Sequence, residues 1–245
     1  DFSAKPVLHV PWVELEVGLL SIVKGRFDIR SLLIERPRFD LVRLTDGRSN
    51  WQDIGILAAV PAKQLNVYAG VVHWRDRMTQ QAVKIADLSW SGSRSKTDPT
   101  ISWQTSFQLL SEVLLSPLAV RISATSQSKS GQSKAMVFDE IIGDVTGPGL
   151  VLSVKLTEVS TNLDIGRVHA AESAVTASVD GTEFALKLKD LNMDTITGQI
   201  GVALLDADCF IGRFTPTITA DAIGIDLPSK RIVVPRVVGS LSLIH

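Results

Sequence analysis

Apolar and polar side chains alternate one by one along most of this chain, a pattern that suits β-strands and little else. In residues 150–156, Leu150, Leu152, Val154 and Leu156 alternate with Val151, Ser153 and Lys155. In 183–189, Phe184, Leu186 and Leu188 alternate with Glu183, Ala185, Lys187 and Lys189. In 118–125, Leu118, Val120, Ile122 and Ala124 alternate with Ala119, Arg121, Ser123 and Thr125. Successive side chains of a strand point to opposite faces, so each segment lays an aliphatic row along one face of a sheet. Further strands are expected at 7–16, 26–35, 38–44, 65–75, 82–91, 101–110, 135–145, 168–179, 199–206, 215–226 and 231–243. Turn residues separate them: Asp46-Gly47, Ser91-Gly92, Ser116-Pro117, Gly147-Pro148-Gly149, Asp180-Gly181 and Pro228-Ser229. The expected fold is all-β and elongated.

Helix signals are sparse. Residues 17–24 suit two helical turns stopped by Gly25, and 51–60 suit one more before Pro61. Neither would cover a large sheet. With 45% hydrophobic residues, only 6% aromatic, the apolar content is aliphatic and must be hidden in a core, a partner or a ligand groove. A sheet without covering helices folds on itself, pairs with another sheet, or leaves a concavity. The strand pattern is the same on both sides of Gly147-Pro148-Gly149, so residues 1–245 read as one β-rich domain with a joint at 147–149. A short echo, Ala86-Asp87-Leu88-Ser89-Trp90 against Lys189-Asp190-Leu191-Asn192-Met193, follows an alternating strand each time and fits a repeated meander.

A formal net charge of −1 argues against nucleic acid as the main partner. Arg26, Arg30, Arg36, Arg38, Arg43 and Arg48 cluster, with Asp28, Glu35, Asp40 and Asp46 among them. Two readings stand for that cluster: the solvated face of paired strands, or a site for anionic lipid headgroups. The lone Cys209 excludes an intramolecular disulfide. No run approaches the roughly 18 apolar residues of a spanning helix. The chain starts at Asp1 without Met, inside what reads as an ordered domain, so the expectation is a fragment whose targeting or anchoring segment has been removed.

The chemistry of an enzyme is missing from the sequence. His9, His73, His169 and His245 lie far apart, without metal-ligand spacing. Two Ser-x-x-Lys matches, Ser93 to Lys96 and Ser126 to Lys129, fall in Ser-rich loops with no helix after them. Asp206, Asp208, Asp221 and Asp226 lack calcium-loop spacing. The expectation is a non-catalytic protein without cofactor or metal.

Residues 25–51, GRFDIRSLLIERPRFDLVRLTDGRSNW, carry the one specific motif. Asp46-Gly47 permits a tight turn, Ser49 or Asn50 suits a cap, and Trp51 would bury its ring on the sheet. The alternative for Arg48 is contact with a ligand headgroup. This passage, with the apolar turn before it from residue 19 and the later Gly70-Val71-Val72-His73-Trp74-Arg75-Asp76 and Ala86-Asp87-Leu88, resembles the AsmA-like family. The resemblance is best over 19–110, and the turn Asp46, Gly47, Arg48, Asn50 and Trp51 is its most specific part.

That resemblance implies a long, curved, mostly antiparallel sheet, a half-pipe or groove with an aliphatic inner face. It implies a periplasmic domain anchored to the inner membrane of Gram-negative cells by a segment missing here, with phospholipid or another acyl lipid as partner and envelope homeostasis as the role. Leu118, Val120, Ile122, Leu150, Leu152, Val154, Leu156, Phe184, Leu186 and Leu188 are the candidate groove residues. The alternative is a structural or outer-membrane protein assembly factor that engages outer-membrane or periplasmic proteins through exposed strand edges, the segment 231–243 above all. A closed β-sandwich serving as a plain scaffold is the third reading.

Overall fold

The computed structural model describes residues 7–18, 28–50, 63–94, 100–112, 114–127, 135–162, 166–194, 196–210, 214–226, 228–229 and 231–243. Among them the protein is all-β, with no helix and sixteen strands that pair mostly antiparallel and remain open, which sets aside the closed sandwich. The chain divides into two compact units, Asp1–Arg121 and Ile122–His245.

The first unit holds β1 (Leu8–His9), β2 (Trp12–Val17), β3 (Ile29–Glu35), β4 (Arg38–Arg43), β5 (Gln64–Asp76), β6 (Gln81–Arg94) and β7 (Thr100–Ser111). β3 and β4 lie end to end along the same edge of β5 and run parallel to it. β2 pairs β3, β1 pairs β4, and β6 and β7 continue antiparallel from β5. A parallel pair needs a long crossover, which residues 44–63 supply. β8 (Leu118–Gln127) straddles the division.

The second unit is an antiparallel meander of β9 (Ala135–Gly147), β10 (Leu150–Asn162), β11 (Arg167–Val179), β12 (Thr182–Asp194), β13 (Gln199–Phe210) and β14 (Phe214–Asp226). β15 (Arg231–Val233) and β16 (Arg236–Leu243) both pair with β14. Gly147-Pro148-Gly149, read above as a joint, forms the tight β9–β10 hairpin, while the division falls within β8. Asp180 and Gly181 both take positive φ, +49° and +83°, which is the mirror-image turn that Asp-Gly favours between twisted strands. The segment expected as one strand at 231–243 is broken at Val234-Pro235, because proline has no N–H for the ladder. Of the expected helical turns, 51–60 and all of 17–24 except Val17 and Gly18 lie outside the described residues; Val17 closes β2.

Left-handed residues sit inside the long strands at one level of each unit. In the second unit they are Glu158 in β10, Asp190 in β12 and Ala222 in β14, with φ of 50°, 51° and 52°. In the first they are Ala69 in β5 and Asp87 in β6, beside Arg36 in the break between β3 and β4. Each inverts the alternation. In β10 the apolar face carries Leu150, Leu152, Val154 and Leu156 before Glu158, then Val159 and Thr161 after it. The register stays in step through the inversion, with Thr157 opposite Glu172 and Val159 opposite Ala170, because the neighbours invert at the same level. Residues without glycine's freedom pay about 1 to 3 kcal/mol for such a conformation. Replacing Ala222 with glycine is therefore expected to raise stability by about 0.5 to 1 kcal/mol, read from denaturant unfolding.

Candidate functional site

The inversion keeps one face of the second unit aliphatic along its strands. Read across the ladder, Val154, Val175, Leu186, Ala207 and Ile218 oppose one another in turn. The next row runs Ile141, Leu156, Ser173, Leu188, Leu205, Ala220 and Val237. Beyond the left-handed line, Phe138, Val159, Ala170 and Leu191 align, with Val159 fully buried and Ala170 only 1% exposed. The opposite face is polar. Lys155 pairs with Glu140 at 2.5 Å, and Thr217 and Thr219 donate to Asp208 and Asp206 at 2.9 and 3.0 Å.

Seven candidates from the sequence therefore share one face: Leu150, Leu152, Val154, Leu156, Phe184, Leu186 and Leu188. Ala177 lies between Leu152 and Phe184, and Val175 between Val154 and Leu186. Phe184 is the most open, 37% exposed. Leu118, Val120 and Ile122 belong to β8, where Val120 is buried and the other two are half-buried. The alternation missed the row beyond the left-handed line.

Among the described residues, two buried hydroxyls on the aliphatic face, Ser173 Oγ and Thr161 Oγ1, stand without a protein hydrogen-bond partner. An unpaired buried hydroxyl costs about 1 to 3 kcal/mol, so Ser173→Ala should stabilise the lipid-free protein by about 1 kcal/mol in thermal or urea unfolding.

A hollow of about 830 Å³ opens at the end of this unit where β10 meets β11 and β12 meets β13. The row Ser160, His169, Asn192, Gly201, Gly224 and Val233 lines it in full, on the face opposite the aliphatic rows. Around them stand Asn162, Arg167, Asp194, Gln199, Asp226 and Arg231, which follow one another across the ladder. The Thr197 backbone N–H, opposed by burial and joined by that of Ile196 and the charge of Arg167, holds the Asp194 carboxyl below its usual range. The groove candidates do not line this hollow; they lie on the opposite face of the sheet.

The motif turn in the first unit is structural in its geometry. Gly47 takes φ +84°, as the Asp-Gly pair demands. Arg48 donates from its backbone N–H and its Nε to Asp46, at 3.0 and 2.7 Å, and these bonds hold that exposed carboxyl below its usual range. Asn50 bonds backwards: its amide donates to the Asp40 carbonyl and accepts from the Val42 N–H, both at 2.8 Å, fastening the turn onto β4. Trp51 lies outside the described residues. Beside the turn, Asp40 meets Arg38 Nε at 3.0 Å and His73 Nδ1 at 3.1 Å. Burial raises the Asp40 carboxyl, but these two partners outweigh it and keep it lowered.

The sequence reading missed Asp76, at the end of β5. Its side chain is 1% exposed, pairs with Arg43 across the parallel ladder, and accepts from Thr79 Oγ1 at 2.8 Å and the Met78 N–H at 2.9 Å. The Arg43 hydrogen bond, against burial, lowers its pKa to about 2. The signal was present as the arginine of RFDLVR and the aspartate of VVHWRD, but only the parallel register of β4 on β5 brings them together.

Among the described residues no group of three or more His, Cys, Asp or Glu is placed to hold a metal ion, and no helix is long and apolar enough to cross a membrane. Compared with protein-family models, curated proteins and solved structures, the chain matches none.

Proposed function

We propose that this protein is a non-catalytic lipid-binding domain of the AsmA-like kind, which holds acyl chains against the aliphatic face of its second unit for lipid transport in the Gram-negative envelope. The observation that carries the reading is that face: Val, Ile, Leu and Ala in register across the strands, with no described helix over them. Each CH₂ of an acyl chain taken out of water there is stabilised by about 0.8 kcal/mol. A surface of mostly aliphatic side chains with few hydroxyls binds tails by area and distinguishes headgroups little. That suits movement of lipid better than storage. The motif turn at 46–51 adds the family resemblance, and with it a periplasmic setting and attachment to the inner membrane.

The test is titration of the delipidated protein with a phospholipid fluorescent on its acyl chain. Saturable binding, competed by unlabelled phospholipid and weakened at least tenfold by Leu186→Asp, is the expected result. No saturable binding by a folded protein would end the proposal.

The second reading, an assembly factor acting through strand edges, draws on β15 and β16. Every described residue of 231–240 is exposed, including Val237 and Val238, and β16 pairs with β14 alone. An edge of this kind is a template for strand addition. A client strand peptide that protects the backbone amides of residues 236–243 from hydrogen exchange would favour it.

A further inference from the structure

We infer that the first unit docks on an anionic phospholipid bilayer through the strand ends where β5 turns into β6 and where β7 ends. The inference rests on the lipid-binding reading and names the surface from which lipid would be taken.

Two apolar side chains stand out at that end. Met78, in the β5–β6 turn, is 59% exposed, and Leu115, four residues past the end of β7, is fully exposed. The register sets both at one end: Asp76 pairs with Gln81 to close the hairpin, and Ser111, the last residue of β7, pairs with Val83. Strand spacing of about 4.8 Å places the two turns roughly 10 Å apart. Single exposed apolar residues are ordinary on a protein surface. Here they coincide with a charge pattern.

Arg75, Arg77 and Lys84 are exposed at the same end and form no ion pair among the described residues. The acidic groups nearby are mostly engaged: Asp76 by Arg43 and Asp46 by Arg48, leaving Glu112 as the opposing charge. Apolar tips flanked by arginine and lysine match the two layers of an anionic bilayer surface, acyl region and phosphate.

The turn is also held rigid. Met78 and Thr79 donate backbone N–H groups to the buried Asp76 carboxylate, so Met78 is presented outward without ordering a mobile loop on binding. Preorganisation of that kind reduces the entropy lost on docking.

The experiment is vesicle flotation of the whole chain, with phosphatidylglycerol-containing vesicles and with phosphatidylcholine vesicles, at low and high salt. The wild type should float with the anionic vesicles and release in high salt. The double variant Met78→Asp/Leu115→Asp should float at least about tenfold less, and Arg75→Glu/Arg77→Glu should lose the preference for phosphatidylglycerol. Both pairs are exposed, so far-UV circular dichroism and Tm should match the wild type; if the aspartates unfold the protein, Met78→Ser/Leu115→Ser serves instead. A wild type that stays off anionic vesicles, or folded tip variants that float as well as it does, would overturn the inference. Leu186→Asp separates it from the underlying reading. That variant should lose bound acyl lipid and still float, and tip variants should keep bound lipid and not float.

Discussion

Asp76→Ala is expected to destabilise the protein by about 3 to 5 kcal/mol, the cost of stranding one partner of a buried ion pair. The carboxylate is 1% exposed and satisfies Arg43, Thr79 Oγ1 and the backbone N–H groups of Met78 and Thr79. Removing it leaves the half-buried Arg43 guanidinium, whose Nε already lacks a partner, without its counter-charge. It also frees the β5–β6 turn. The pH dependence has a definite sign. A carboxyl lowered from 3.8 to about 2 stabilises the fold fully above its unfolded value, and this contribution disappears as the pH falls from about 4 through about 2. The amount at stake is about 2 kcal/mol. Urea unfolding at neutral pH and at pH 2 measures it: the wild type should lose this increment on acidification, and Asp76→Asn should not.

The second large effect separates the two faces of β10. Val159→Asp puts a carboxylate at a fully buried position in the row of Phe138 and Ala170, and should cost about 4 kcal/mol or more. Val151→Asp, on the polar face and 54% exposed, should change stability by no more than about 0.5 kcal/mol. Strict alternation would predict the reverse for the far half of the strand. Counting by twos from Leu150 through Leu156 places Glu158 on the apolar face and Val159 on the polar one. The comparison therefore tests the inversion at Glu158 directly, by chemical denaturation of both variants.

That inversion marks where the sequence stops being legible. The strands and their aliphatic rows follow from short windows, and nearly every expected strand is present, although β6 runs straight through Ser91-Gly92, expected as a turn, and pairs there with Gln104 and Trp103. The windows at 150–156 and 183–189 end just before Glu158 and Asp190, so the change of phase escaped them. The echo between Ala86-Asp87-Leu88 and Lys189-Asp190-Leu191 was its visible trace, since aspartate tolerates the left-handed region and both aspartates occupy it. Glu158 and Ala222 have no such preference. Their conformation follows from pairing with neighbours that shift at the same level, which is information held by the sheet and not by the local sequence. The parallel pairing of β4 with β5 was hidden for the same reason, and with it the Arg43–Asp76 pair. In the motif turn, Gly47 behaves as its residue type requires, whereas the backward reach of Asn50 to Asp40 and Val42 depends on where β4 lies.

The central claim is that the aliphatic face of the second unit holds acyl lipid. Native mass spectrometry of the protein purified from Gram-negative cells, with lipid analysis of whatever accompanies it, tests this most directly. The account predicts near-stoichiometric phospholipid on the wild type, lost from Leu152→Asp, Val154→Asp and Leu186→Asp proteins that retain their far-UV spectrum. A folded wild type free of lipid, or lipid retained equally by all three variants, would contradict it.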